Sequence, residues 1–189
     1  MSWPERLLRR RQVLGAVVFD LETRRTIQEV GGRQNIHRLG LSVAVTYNED
    51  ENLYRFYTEE NVSELVEELK KGKLVVGFNL YRFDYQVLQP YTSFPLESLP
   101  TLDLMEEVRR KLGIRVSLDQ LAWATLGAGK SGDGMLAIRL WRQGRIEELM
   151  EYCRRDVEIT WQLYEFGRRN RYIIYFDKKW REVKIPVNW

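Results

Sequence analysis

Asp20 and Glu22 are the first residues whose type and spacing suggest chemistry. They close the stretch Ala16-Val17-Val18-Phe19-Asp20-Leu21-Glu22-Thr23, and residues 13–19 are apolar apart from one glycine. Such a run predicts a central strand covered on both faces. Successive strand side chains point to opposite faces, so Asp20 and Glu22 share one face while Leu21 turns away. At a rise of roughly 3.3 Å per residue, their α-carbons stand about 7 Å apart, within reach of one shared ion. Two carboxylates at the mouth of an apolar strand are costly unless a cation sits between them. A solvated turn is the alternative reading, because Asp and Glu also follow strands at exposed turns.

The elements that must position these acids show in the periodicity. Leu39, Leu41, Val43, Val45 and Tyr47 alternate with the smaller Gly40, Ser42, Ala44 and Thr46, which predicts a second strand over 39–47. Residues 53–58 form a third, at the sheet edge, and the short links imply an antiparallel meander. A helix follows: Asn61 and Glu64 make a capping pair, Val62, Leu65, Val66 and Leu69 form one stripe, and Lys70-Lys71-Gly72 ends it. Residues 74–78 are a second fully apolar strand, entered from a helix and so parallel to the first. Asn79 leads into a short helix carrying Phe83, Asp84, Val87 and Leu88, stopped by Pro90. Residues 101–105 predict a fifth short strand running into a helix through Lys111, and Ser117 with Gln120 caps the next helix. A glycine-rich loop spans 127–134. The longest helix covers 145–166, with Tyr152 and Asp156 four apart on one edge of its buried stripe. Residues 172–176 and 183–187 pair as a hairpin. The expected class is α/β: a mixed five-stranded sheet, antiparallel in strands 1–3 and then parallel, flanked by helices, with a C-terminal β-hairpin. Residues 1–12 read as a basic arm and 13–189 as a single domain.

Composition narrows the chemistry. A chain of 189 residues that is 44% hydrophobic and 30% charged suits one globular domain with a substantial core. No apolar run approaches the ~20 residues of a membrane span. The basic start before the first strand imitates a secretion signal, but it ends on acids and lacks a small-residue cleavage site, so a cytoplasmic protein is expected. The single cysteine, Cys153, excludes a multi-cysteine zinc site. The lone histidine, His37, falls in a polar loop and reads as surface. Catalysis must run on carboxylates, lysines or tyrosines. Net charge is only +3, yet basic residues crowd both ends of the chain, as a polyanionic partner would favour.

Four acids occupy comparable places: Asp20 and Glu22 at the end of the first strand, Asp84 after the other apolar strand, and Asp156 on the long helix. With those strands adjacent, all four gather at one end of the sheet, where ligands bind in open α/β folds. Their mutual repulsion calls for divalent metal, and with only oxygen donors available the expected ions are Mg²⁺ or Mn²⁺. Two such ions about 3.5–4 Å apart form the clamp used for in-line displacement at phosphorus. Tyr152, with an ordinary pKa near 10, is a poor proton acceptor and is assigned to holding the attacking water.

Phe19-Asp20-Leu21-Glu22-Thr23, Asn79-x-x-x-Phe83-Asp84 and Tyr152-x-x-x-Asp156 together resemble the three motifs of the DEDD superfamily of 3′–5′ exonucleases. The likeness covers about residues 13–167 and implies a ribonuclease H-like fold. It also implies two-metal hydrolysis at nucleic-acid 3′ ends, releasing nucleoside monophosphates. By the same likeness Asp20, Glu22 and Asp156 would hold the first metal, with Asp20 bridging to a second that Asp84 supports. The histidine subclass carries His five residues before the last Asp; here that position is Glu151, and Tyr152 fits the tyrosine (DEDDy) subclass. The chain also resembles polymerase-B-type exonuclease modules, some joined to helicases, so a helicase or polymerase partner is expected. Two rival readings are a non-catalytic nucleic-acid-binding module and a structure-selective endonuclease on the same fold.

Thr23 and Asn79 flank the acids and are expected to contact the substrate strand, and Phe78 or Tyr81 to stack on a terminal base. Ala124-x-x-x-x-Gly129-Lys130-Ser131 imitates a phosphate loop, but it leaves a capped helix rather than a strand. Lys130 is instead expected to touch substrate phosphate. Trp123, Trp141 and Trp161 fall on expected helices and read as core, and Cys153 as packing.

Overall fold

The computed structural model describes residues 14–127, 129 and 134–189. Seven strands and six α-helices are found among them: β1 (Leu14–Thr23), β2 (Leu41–Asn48), β3 (Leu53–Tyr57), α1 (Val62–Lys71), β4 (Gly72–Gly77), α2 (Asp84–Leu88), β5 (Thr101–Asp103), α3 (Leu104–Leu112), α4 (Leu118–Leu126), α5 (Gly134–Arg142), α6 (Ile146–Asn170), β6 (Tyr172–Phe176) and β7 (Glu182–Pro186). The main sheet has the order β3-β2-β1-β4-β5, and β6 and β7 form a separate two-stranded sheet. β1–β2 and β2–β3 are antiparallel, whereas β1–β4 and β4–β5 are parallel. The mixed sheet, the edge position of β3 and the terminal hairpin agree with the sequence expectation.

Two core layers cover the sheet, and the alternation along β1 decides which residue joins which. Ala16 and Val18 face the layer containing Leu149, Cys153 and Val157 of α6, while Val17, Phe19 and Leu21 face Leu65 and Leu69 of α1 and Val87 and Leu88 of α2. Asp20 and Glu22 continue the first series, so they look toward α6.

The first strand carries both acids, as expected. It runs through both acids to Thr23, because β2 continues beside it, with Asp20 opposite Val45 and Glu22 opposite Val43 before an irregularity at Glu22/Thr23. The α1-to-β4 connection is tighter than expected. Gly72 is extended (φ −63, ψ 137) and opens β4 directly, and a β-carbon there would stand 3.1 Å from Val17 Cγ2.

Of the three tryptophans expected in the core, Trp123 departs from expectation, while Trp141 and Trp161 pack against that core. Trp123 is 50% exposed, because its face of α4 meets the hairpin rather than the sheet, and it packs on Phe176 at 5.3 Å. Trp141 and Trp161 are half-buried; Trp141 lies under the Arg24 guanidinium at 4.9 Å, and Trp161 packs on Tyr47 at 4.9 Å. His37 is exposed and Cys153 is buried, as expected.

Candidate active site

The end of β1 and the middle of α6 bring three carboxylates together. Asp20, Glu22 and Asp156 each offer an oxygen, and these atoms lie within 4.8 Å of one another. Asp20 and Glu22 are half-buried, and Asp156 is 5% exposed. The two strand residues reach the same ion-sized space because they are two apart on one face; Asp156 reaches it because α6 crosses that face.

Asp84 stands outside this tight group but lines the same cleft, of about 540 Å³, with Asp20, Glu22 and Asp156. It opens α2 and is almost fully buried, and its Oδ1 accepts a hydrogen bond from Leu21 N at 3.3 Å. Burial, and then the Asp20 charge, push its pKa well above the ordinary carboxylate range. An all-oxygen set of crowded, partly desolvated acids fits a hard divalent cation, which would offset both penalties.

The turn that presents Asp84 is held by a residue the sequence reading passed over. Asp103, 4% exposed at the end of β5, caps α3 by accepting from Met105 N (3.1 Å) and Glu106 N (3.2 Å). It also reaches across to accept from Asn79 N (2.8 Å) and Tyr81 N (3.2 Å). The Asp-x-x-Glu spacing of Asp103 and Glu106 is a helix-start signature that marks the cap, but nothing local marks the second role.

Cys153 approaches Asp20 from α6, its Sγ 3.4 Å from both Asp20 O and Oδ2. Burial first, then the charges of Asp20, Glu22 and Asp156, push the thiol well above its ordinary pKa. It therefore remains a neutral S–H donor to Asp20 and is a poor nucleophile. Glu151 is drawn down to about 2, chiefly by its hydrogen bond with Arg154 and also by Arg155, so it accepts no proton near neutral pH.

Thr23, Phe78 and Asn79 all line the acid cleft. The Thr23 hydroxyl donates to Arg25 O at 3.0 Å. Asn79 takes a left-handed backbone (φ 71), and its Oδ1 is buried with no hydrogen-bond partner among the described residues. Tyr81 is not among the cleft-lining residues and packs edge-on against Tyr85 at 5.7 Å instead. Tyr152 is buried one turn before Asp156 and lines a neighbouring groove between α5 and α6 with Leu136 and Leu140. Lys130 lies outside the described residues. Arg25, Met135 and Ile138 also line the cleft without having been singled out. Arg25 sits in a polar loop with no motif around it, and α5 meets β1 only in the folded chain.

No described helix is long and apolar enough to cross a membrane. Comparison with curated proteins returns no match. The family model described as RNase_H superfamily matches residues 17–166, a span that runs from β1 through most of α6 and contains the three clustered acids and Asp84. On that match, and on the sheet order and acid cleft that accompany it, the chain belongs to the RNase H superfamily, a group of nuclease-type domains that act on nucleic acids.

Proposed function

We propose that this protein is a metal-dependent 3′–5′ exonuclease of the tyrosine DEDD type. Its substrate is a single-stranded 3′ end, and a helicase or polymerase is the expected partner. The observation that carries the reading is the group of Asp20, Glu22 and Asp156 oxygens within 4.8 Å, in a cleft that Asp84 also lines. In this reading Asp20, Glu22 and Asp156 hold one divalent ion, Mg²⁺ or Mn²⁺, and Asp20 with Asp84 serves a second. Bound there, such ions supply an acidified water and neutralise charge developing at phosphorus.

The remaining work falls to the chain. The Cys153 thiol steadies Asp20 from the α6 side, and Asp103 fixes the turn from which Asp84 projects. Asn79 has an unused buried acceptor at the cleft wall, suited to a donor on the terminal nucleotide. Phe78 offers a ring edge to its base, while Thr23, Arg25 and Lys130 are assigned to the sugar–phosphate strand. The Tyr152 hydroxyl is assigned to orienting the attacking water, since a tyrosine phenol is a poor proton acceptor.

The test is a 5′-labelled single strand incubated with Mg²⁺ or Mn²⁺. A ladder shortening from the 3′ end is expected, and Asp20→Ala or Asp156→Ala should abolish it while leaving the circular dichroism spectrum unchanged. Full activity in chelator, shortening from the 5′ end, or cutting of circular single strands would each overturn the assignment.

A further inference from the structure

Outside the acid cleft, the C-terminal hairpin and α4 enclose a second concavity. It has a volume of about 340 Å³, is lined by Trp123, Tyr175, Phe176, Lys178 and Trp180, and shares no residue with the cleft. Two indoles stand open there: Trp180 is 74% exposed and Trp123 50%. Their ring centroids are 5.8 Å apart at 82°, so one ring offers an edge and leaves a face available.

The geometry of the hairpin tip is imposed by its own hydrogen bonds. Trp180 has φ 59, a left-handed backbone uncommon for so bulky a residue. Asp177 holds it there: its carbonyl accepts from Trp180 N (2.9 Å), its Oδ1 from Lys179 N (2.8 Å) and Arg181 N (3.0 Å), and its Oδ2 from Arg181 Nε (2.8 Å). Over-determined strain of this kind clusters at ligand clamps. The hairpin is also fastened to α4, where the Thr125 hydroxyl donates to Ile174 O and accepts from Ile174 N, both at 3.0 Å. An aromatic slot fixed in advance loses little freedom on binding.

Charge identifies the occupant. Lys178 and Lys179 are exposed and make no ion pair among the described residues, whereas the one acid lining the slot, Asp177, is taken up by Arg181 and the backbone amides. Rings inside and free ammonium groups at the rim complement bases joined by phosphates. A proline-rich segment would also suit aromatic walls, but it would gain nothing from the two lysines.

We propose that this slot is an accessory binding site in which a base of single-stranded nucleic acid stacks on Trp180 and Trp123, while Lys178 and Lys179 take the adjoining phosphates. The inference rests on the nucleic-acid reading of the acid cleft but not on its chemistry. The test measures anisotropy of a labelled oligothymidylate of about twenty nucleotides in EDTA, long enough for a strand-tracking site. In parallel, turnover of the p-nitrophenyl ester of thymidine 5′-monophosphate with Mn²⁺ reports on the acid cleft alone. Trp180→Ala should weaken oligonucleotide binding about tenfold. Trp180→Phe should restore most of the affinity, and Lys178→Glu with Lys179→Glu should weaken binding and flatten its salt dependence. Ester turnover should be unchanged in all three. Unaltered oligonucleotide affinity in Trp180→Ala, or Trp180-dependent capture of a proline-rich peptide without oligonucleotide binding, would overturn the slot and leave the exonuclease reading standing. Trp180-dependent binding by a protein that degrades no strand would support the slot and defeat the exonuclease reading.

Discussion

At Asp84 burial and the neighbouring Asp20 charge both disfavour the ionised carboxylate. Its carboxylate is nearly solvent-free, lies near the Asp20 charge and takes one hydrogen bond from Leu21 N. Asp84→Asn keeps an acceptor for that amide and removes the disfavoured charge. In chelator, the variant should be more stable by about 1 kcal/mol, which raises the unfolding midpoint by about 2–4 °C in a chain this size. Strand degradation should be lost at the same time. A lowered midpoint in differential scanning calorimetry would mean that the buried charge carries no penalty. Tyr152 offers a second test at this scale. Tyr152→Phe retains the buried ring but deletes the hydroxyl, so the fold should be kept while kcat falls about a hundredfold, the low end of the range for a positioned side chain. Unchanged kcat would remove Tyr152 from the reaction and leave it to packing.

Among the elements, the passage from β4 into α2 is tightly constrained. A β-carbon at Gly77 would stand 2.5 Å from Leu80 Cδ2 and 2.6 Å from Leu80 Cγ, and Leu80 is fully buried. The turn that follows is anchored by Asp103 through Asn79 N and Tyr81 N, and it delivers Asp84 to the cleft. Gly77→Ala must therefore move Leu80 and that turn together, at a cost of about 1–3 kcal/mol for overpacking. Urea unfolding should report the loss, and activity should fall further than stability alone requires because Asp84 is displaced. A neutral Gly77→Ala would show that the turn is looser than its contacts indicate. Two of these constraints can be read along the chain and one cannot. The glycine and the Asp-x-x-Glu cap are local signals, whereas the reach of Asp103 to Asn79 depends on β4 and β5 lying side by side.

At the scale of the whole molecule, the acid cluster joins distant parts of the chain, so an ion bound there stabilises the fold as a unit. A ligand that binds only the native state at 100 times its Kd contributes about 2.7 kcal/mol. Thermal unfolding should accordingly shift upward as Mn²⁺ is titrated and return with chelator, and the shift should be lost in Asp20→Asn combined with Asp156→Asn. An equal shift in that double variant would place the ion elsewhere.

Alternation in residues 13–23 determined that Asp20 and Glu22 share a face, and helical spacing determined that Tyr152 and Asp156 lie on one edge of α6. Apolar runs, caps and short links likewise determined the mixed sheet, because strand and helix periodicities are properties of neighbouring residues. Only the tertiary structure decided that Asp156 closes onto Asp20 and Glu22 while Asp84 stands just outside. It also decided that Tyr152 lines the adjoining groove, and that Trp123 turns outward to a hairpin carrying Trp180. The physical reason is that a side chain's face follows from its own element, but what that face meets follows from packing between elements far apart in the chain.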